Sequence, residues 1–187
     1  MPLKKQAGSV FQMKVTLKHS KPPIWRRIHL DSNTTLFELH AILQLSMGWT
    51  NSHLHQFIAN GIYYGEPHPD FGLDVLDEQE YQIHQIVNEP GDKFIYEYDF
   101  GDGWEHEVVL EEKLAFEPNT KYPCCIKGKR RCPPEDIGGV WGYEYFLEAL
   151  LDINHPEHEQ YKEWIDGSYD SEEFDLEEVN QMLRHYL

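Results

Sequence analysis

The sequence is poor in cysteine and has no long apolar run. Its three cysteines, Cys124, Cys125 and Cys132, lie in one short segment. An odd, closely spaced set is unlike the disulfide framework of a small secreted protein. No apolar stretch approaches the roughly 18 residues that suggest a membrane-spanning helix, and the N-terminal residues lack the apolar core of a signal peptide. These absences predict a reduced, cytoplasmic protein without a membrane partner.

Positive charge is also scarce. The chain of 187 residues has 16 lysines and arginines against 33 aspartates and glutamates, a formal net charge of −17. Residues 135–187 hold 15 of the acidic residues and two of the basic ones. Such a surface repels phosphate backbones, so nucleic acid is a disfavoured partner unless a local basic patch opposes the overall field. A protein partner is favoured instead.

Basic residues are concentrated in two short groups, near Trp25 and near Tyr122. The candidate binding residues are Arg26, Arg27, Lys127, Lys129, Arg130 and Arg131. They could contact a nucleic acid or an acidic protein segment, including the acidic C-terminal region of this chain. A few cations give only weak, salt-sensitive binding to nucleic acid, and a solvated loop is the alternative interpretation.

Hydrophobic periodicity predicts strands in the first two-thirds of the chain, with one helix among them. An alternating pattern predicts strands over about 9–20 and 94–110, the latter with a turn at 101–103. Further strands are predicted over 24–30 and, within an irregular connection, near 82–86. Asn60-Gly61 predicts a hairpin between two further strands. Residues 36–47 change to the helical period, with a Thr35–Glu38 capping box before them and Gly48 after them.

The last third of the chain has a different pattern. Residues 118–142 are punctuated by proline and glycine and are predicted to form a long ordered loop. Helices are predicted over about 142–152, 156–165 and 175–187. We therefore expect an α+β fold and a single domain over residues 1–187. Its region at about 8–115 would be a β-grasp-like sheet with one packed helix, and its region at about 116–187 a long loop plus acidic helices.

Three histidines could bind a metal ion. His53 and His55 are separated by one residue, so on a strand they would lie on the same face. His106 could be a third ligand, with Asp99 or Asp102 as a fourth, and imidazole ligands suit zinc or another divalent transition metal. The alternative is that His55 and His106 are hydrogen-bonded residues of the core.

Carboxylates around the turn at 101–103 offer groups for acid–base chemistry. The candidates are Asp99, Asp102 and Glu105. Aspartate and glycine are also ordinary turn residues, so a solvated acidic hairpin is the favoured interpretation. Glu135 and Asp136, just before a glycine-rich stretch, are interpreted as caps of backbone donors. The cysteines are interpreted as reduced loop residues, because one loose pair is weak evidence for zinc.

Four segments together resemble a known family. These are "PPIWRRI" at 22–28, "MGWTNSHLHQF" at 47–57, "YEYDFGDGWEHEV" at 96–108 and "CPPEDIGGVWGYEYFLEAL" at 132–150. They resemble the plasmid open-reading-frame-three-like family, first named from an Ri plasmid and also labelled TnpR-like or insertion-element passenger protein. The resemblance implies a single α+β domain carried by mobile elements and chromosomes, and no specific activity. The TnpR-like label would imply a resolvase. Ser9 lacks the surrounding pattern of a resolvase nucleophile, so the residues do not support the TnpR-like label.

Three functional hypotheses follow. The first is a non-enzymatic binding or accessory module that acts through protein contacts, supported by the acidic C-terminal region. The second is a metal-dependent hydrolase, in which His53, His55 and His106 hold an ion that activates water. The third is a regulator that contacts DNA through the candidate binding arginines and lysines.

Overall fold

The chain forms a mixed α/β structure around one sheet. A computed structural model describes residues 8–68, 70 and 74–187, and these residues contain eight strands and five α-helices. The strands are β1 Val10–Leu17, β2 Trp25–Asp31, β3 His55–Ala59, β4 Ile62–Gly65, β5 Leu76–Asp77, β6 Lys93–Tyr98, β7 Trp104–Leu114 and β8 Cys124–Lys129. The helices are α1 Leu36–Met47, α2 Ile83–Ile86, α3 Gly139–Leu151, α4 His158–Trp164 and α5 Leu176–Tyr186.

The sheet has the strand order β5-β4-β3-β6-β7-β1-β2-β8. The pairings are antiparallel apart from the short β4–β5 pair, which is parallel. The antiparallel partners His55 and Tyr98 bring the start of β3 and the end of β6 to the same end of the sheet, where β7 begins. The loops that enter and leave these strands therefore meet there.

One face of the sheet is covered by α1. Alternate residues of β1 and β7 point to this face and are buried, as the period-two pattern predicts. His40 and Gln44 of α1 both hydrogen bond to the hydroxyl of Tyr96 on β6, at 2.8 Å each. Each large apolar side chain buried between the helix and the sheet contributes about 1.5–3 kcal/mol.

Several local predictions are confirmed. Thr35 and Glu38 form the expected capping box of α1, and Gly48 ends the helix in a left-handed conformation. Asn60 and Gly61 both have positive φ and join β3 to β4. These signals depend only on neighbouring residues, which is why the sequence reveals them.

Two local predictions are wrong. Residues 83–86 form the short helix α2 instead of a strand, because the backbone N–H groups of Ile83 and His84 bond to the carbonyls of Thr34 and Ser32 and not to a neighbouring strand. The predicted loop at 118–142 contains β8, which pairs with β2 at the edge of the sheet. The β-grasp comparison and the division of the chain into one domain stay predictions. No helix in the described parts of the chain has the length and apolarity needed to cross a membrane.

Candidate metal centre

Three loops meet beside His53 at the end of the sheet where β3 begins and β6 ends. The Nε2 atom of His53 lies 2.8 Å from Oδ1 of Asp136, 3.6 Å from Oδ2 of Asp99 and 3.9 Å from Oε2 of Glu135. The ligand atoms of His53, Asp99 and Asp136 all lie within 4.8 Å of one another. Imidazole nitrogen and carboxylate oxygen are both common ligands of divalent metal ions.

The Nε2 atom of His53 is inaccessible to solvent, and it makes no hydrogen bond to any described residue. The short approach of Asp136 therefore lacks the direction of a hydrogen bond. Buried polar atoms in native proteins are usually hydrogen-bonded, so one that has only the ionic contact with Asp136 needs an explanation. An ion bound between the imidazole and the carboxylates would provide one.

Asp99 is held in place by its own backbone turn. Its φ of 59° is in the left-handed region, which aspartate tolerates better than most residues. One carboxylate oxygen, Oδ1, accepts hydrogen bonds from the backbone N–H groups of Gly101 and Asp102 at 3.0 and 3.3 Å. The other oxygen, Oδ2, is the one that faces His53. The turn at the end of β6 thus orients a largely buried carboxylate toward the imidazole.

Glu135 is fixed by donors from two other segments. Its Oε1 atom accepts hydrogen bonds from the backbone N–H of Thr50 at 2.8 Å, from the hydroxyl of Thr50 at 3.0 Å and from the hydroxyl of Tyr98 at 3.1 Å. The pKa of Tyr98 is raised well above its usual value by burial, so the phenol stays protonated and donates. Glu135 therefore caps a backbone donor, as predicted, and also turns a carboxylate toward His53.

Asp136 differs from the other two carboxylates, because its side chain is 70% exposed. It also has a left-handed φ of 58°. Contrary to the interpretation of Asp136 as a cap, its Oδ1 atom lies against the imidazole of His53. One sequence signal could have identified Asp136 as a candidate ligand. It is the combination of two adjacent acids with a glycine-rich turn, inside one of the four segments of the family resemblance.

Asp102 holds the loop that carries Asp136. Its Oδ2 atom accepts a hydrogen bond from the backbone N–H of Gly138 at 3.0 Å. Gly139 follows with a φ of 72°, and a Cβ atom at that position would collide with the backbone carbonyl of Asp102. Asp102 is therefore a positioning residue at the edge of the centre. The third acid–base candidate, Glu105, lies elsewhere and pairs with Lys18 at 2.6 Å.

His106 lies apart from His53. It is fully buried, and both of its ring nitrogens are used: the indole N–H of Trp49 donates to Nε2 at 3.3 Å, and Nδ1 lies 3.2 Å from the carbonyl oxygen of Tyr96. Burial lowers the pKa of His106 to about 4, so the ring is neutral at pH 7. The structure does not bring this residue to the cluster, and its surroundings match the alternative interpretation of a core histidine.

His55 lies in a cleft of ≈ 510 Å³ that His53 also lines. Its Nε2 atom is 2.7 Å from Oε2 of Glu78, a buried carboxylate. The ring of His55 stacks on that of His40, with centroids 3.4 Å apart. Burial lowers the pKa of His40 to about 4. The cleft is therefore a polar cavity beside the cluster, with His55 bonded to a carboxylate of its own.

Arg26 and Arg27 have internal partners. Arg26 is buried and donates to the backbone carbonyls of Ser46 and Lys129 at 2.8 and 3.0 Å. Burial lowers its pKa below the usual range. Arg27 makes two hydrogen bonds to the carboxylate of Glu111, at 2.6 and 3.0 Å. Both guanidinium groups stabilise the sheet and the elements next to it.

The other four candidate cations lie on β8 or directly after it. Arg130 pairs with Glu172 at 2.7 Å and Arg131 with Glu173 at 2.8 Å, so the acidic C-terminal region of the chain neutralises both. Lys127 and Lys129 are exposed. This is the self-contact that the sequence suggested as one alternative, and contact with nucleic acid stays a prediction.

The cysteines are poor nucleophiles. Burial raises the pKa of Cys125 to about 11 and raises the pKa of Cys132 as well.

The side chain of Asn180 on α5 bonds both backbone groups of Cys125, accepting from its N–H at 2.9 Å and donating to its carbonyl at 2.8 Å. An amide side chain thus takes the place of a neighbouring strand at this point of β8, which protects the sheet edge.

Comparisons with known proteins support one family. The family model described as "Plasmid pRiA4b ORF-3-like protein" matches residues 9–178. The uncharacterized protein y4hQ of Sinorhizobium fredii (strain NBRC 101917 / NGR234) is 39% identical over 178 residues, which cover 94% of this chain and 91% of that protein. The crystal structure of MM3350, a protein of unknown function from Methanosarcina mazei Go1, has a TM-score of 0.85 and 35% identity.

That structural match covers 93% of this chain and 99% of MM3350. None of these descriptions supports the TnpR-like label. Three of the four segments that carry the family resemblance, at 47–57, 96–108 and 132–150, supply the residues around His53. With a family model that matches most of the chain, the protein belongs to the plasmid pRiA4b ORF-3-like family.

Proposed function

We propose that this protein is a divalent-metal-dependent hydrolase whose ion is held by His53, Asp99 and Asp136. One observation carries the proposal: the solvent-inaccessible Nε2 atom of His53 lies within 4 Å of three carboxylate groups and has no hydrogen bond. This ligand set replaces the three histidines predicted from the sequence, because only His53 of the three lies in the cluster.

The charge of the cluster supports a cation. Three carboxylates approach one imidazole, and no lysine or arginine of the described residues pairs with Asp99, Glu135 or Asp136. Carboxylates that share a site repel one another unless a proton or a cation lies between them. One nitrogen and two or three oxygen ligands suit zinc or manganese.

The surroundings support hydrolytic chemistry. A divalent ion lowers the pKa of a bound water toward neutrality and so supplies a hydroxide nucleophile. Glu135 is a carboxylate at the edge of the cluster, oriented by Thr50 and Tyr98, and is the candidate to accept a proton from that water. The cleft that His53 and His55 share would admit a polar substrate.

The test is metal content and hydrolysis measured on the same preparations. Untagged protein is saturated with zinc or manganese, dialysed and analysed by mass spectrometry for metal. We expect about one ion per chain, lost in His53→Ala and retained in the matched variant His55→Ala. Each preparation is then assayed with bis-p-nitrophenyl phosphate and p-nitrophenyl acetate, where we expect turnover only in the metal-retaining proteins.

Two outcomes contradict the proposal. Protein that holds no ion after saturation has no metal centre at His53. An ion retained by His53→Ala but lost in His55→Ala would move the site to the neighbouring cleft.

The other two hypotheses stay predictions with weaker support. A DNA-contacting regulator would depend on cations of which Arg27, Arg130 and Arg131 already have carboxylate partners. A non-enzymatic binding module is compatible with the acidic surface. Experiment can distinguish it from a hydrolase, because this hypothesis predicts binding of a partner without metal-dependent turnover.

A further inference from the structure

A second concave surface lies on the other side of Glu135. This groove has a volume of ≈ 630 Å³ and runs between the C-terminal end of α1, the end of α4 and one side of α5. Its volume is within the range of about 300–1,000 Å³ that is usual for ligand sites.

Part of the lining of the groove is apolar. Its apolar side chains include Leu45, Met47, Trp164, Ile165, Val179 and Met182. Trp164 is 49% exposed and Met182 is 40% exposed, so both offer apolar surface to a ligand. The side chain of Met182 can fit irregular partners because it is unbranched and flexible, and amphipathic helices commonly place their apolar face in such grooves.

The charge of the groove is negative. Its carboxylates are Glu135, Glu173, Asp175 and Glu178, and its guanidinium groups belong to Arg26 and Arg131. Both cations are engaged, Arg26 by backbone carbonyls and Arg131 by Glu173. The exposed carboxylate of Glu178 has no cationic partner among the described residues. The groove therefore complements a ligand that is both apolar and cationic.

Glu135 joins the groove to the proposed metal centre. This residue and Thr50 line the groove, while the other carboxylate oxygen of Glu135 lies 3.9 Å from Nε2 of His53. A ligand that extends along the groove toward α1 would therefore end beside the cluster.

We propose that this groove binds a cationic, apolar segment of polypeptide in an amphipathic helical form. Apolar side chains of the segment contact Trp164 and Met182, and its lysines or arginines lie near Glu178 and Asp175. A further step, that the bound segment is the substrate presented to the ion, rests on the proposed metal centre. The binding itself does not depend on it.

The probe is a short fluorescent peptide built only from lysine and leucine in a helical pattern, compared with its glutamate–leucine counterpart. Binding is measured by fluorescence anisotropy in the full-length protein, with and without zinc. The groove variant is Trp164→Ser/Met182→Ser. Its matched control is Trp141→Ser/Leu151→Ser, which removes a tryptophan and an aliphatic residue from α3 that are 80% and 88% exposed.

We expect the groove variant to bind the lysine–leucine peptide about tenfold more weakly and the control to bind it like the native protein, because a few central apolar contacts dominate such interfaces. Glu178→Gln should weaken binding about threefold, and less at high salt. The ring of Trp164 also contacts Phe146 and Tyr161, so thermal unfolding is measured for each variant to verify that it folds.

Equal weakening in the groove variant and the α3 control would overturn the proposal and assign the binding to general attraction by an acidic surface. Equal binding of the glutamate–leucine peptide would overturn the charge argument, and concentration-dependent self-association that blocks the peptide would identify a second copy as the occupant. His53→Ala should bind the peptide normally. A protein that binds the peptide but holds no metal ion would therefore support the proposed groove and contradict the proposed hydrolase.

Discussion

His53 and His106 lie in two of the segments that carry the family resemblance, and the surroundings of the two imidazoles are opposite. His106 is enclosed by Trp49 and Tyr96, which use both of its nitrogens. His53 lies where loops converge, and its Nε2 atom faces three carboxylates without a hydrogen bond.

This difference distinguishes a histidine that stabilises the core from one whose nitrogen is free to bind an ion. A buried imidazole with two partners contributes to stability and has no nitrogen left for an ion. An imidazole among unneutralised carboxylates contributes little to stability without a cation and provides a ligand for one. Substitution, metal, pH and charge can each test this distinction.

The largest expected effect is on stability. His106→Ala should lower the free energy of unfolding by about 3 kcal/mol or more, because it opens a cavity and leaves the indole N–H of Trp49 unpaired. His53→Ala should change it by less than about 1 kcal/mol in metal-free protein, since that imidazole has no hydrogen bond through Nε2. Urea denaturation in the presence of a chelator measures both. Equal decreases in the free energy of unfolding of the two variants would contradict the distinction between the two histidines.

Metal should have the next largest effect. At a free zinc or manganese concentration of 100 times the dissociation constant, binding to the folded state alone adds about 2.7 kcal/mol to the free energy of unfolding. We expect this increment in the native protein and its absence in His53→Ala. Thermal unfolding monitored against metal concentration measures it, and an increment that survives in His53→Ala would place the ion elsewhere.

Acid should destabilise the protein through His106. Its pKa is about 4 in the folded protein and about 6.5 in an unfolded chain, so the unfolded state binds the proton first as pH falls. The stability that this group contributes is fully present well above pH 6.5 and is lost as the pH falls toward 4. Roughly 2 kcal/mol of it is lost by pH 5.

His40, with the same lowered pKa, adds a loss of the same sign. His106→Gln should make the dependence of unfolding free energy on pH shallower over this window in the presence of a chelator. An unchanged slope would mean that His106 does not resist protonation in the folded protein.

The smallest expected effect concerns charge. Asp136→Asn removes one of three clustered carboxylates, so the metal-free variant should be more stable than the native protein by about 0.5 kcal/mol. The same variant should bind metal more weakly. Glu105→Gln provides the control, because Glu105 has a cation, Lys18, as its partner and its removal should be neutral or slightly destabilising. Destabilisation by Asp136→Asn without metal would show that His53 and Asp136 form a simple ion pair.

Local signals were predictable because they depend on a few adjacent residues. The capping box at Thr35 and the turn at Asn60-Gly61 are examples. The strand β8 was missed because its sequence is rich in lysine and glycine, and it forms a strand only through pairing with β2. Two of the three residues proposed to hold the ion, His53 and Asp99, were also candidates in the sequence.

By itself the sequence determined the alternation that buries one face of β1 and β7, the helix α1, the acidic charge of the C-terminal region and the resemblance to a family. The tertiary structure alone decided which polar residues meet. Asp136 contacts His53 although the two residues are 83 positions apart along the chain. His106, which was predicted to bind a metal ion together with His53, is enclosed in the core instead. The physical reason is that local periodicity reflects which face of an element is buried, whereas a site assembled from three loops depends on how the strands between them pair.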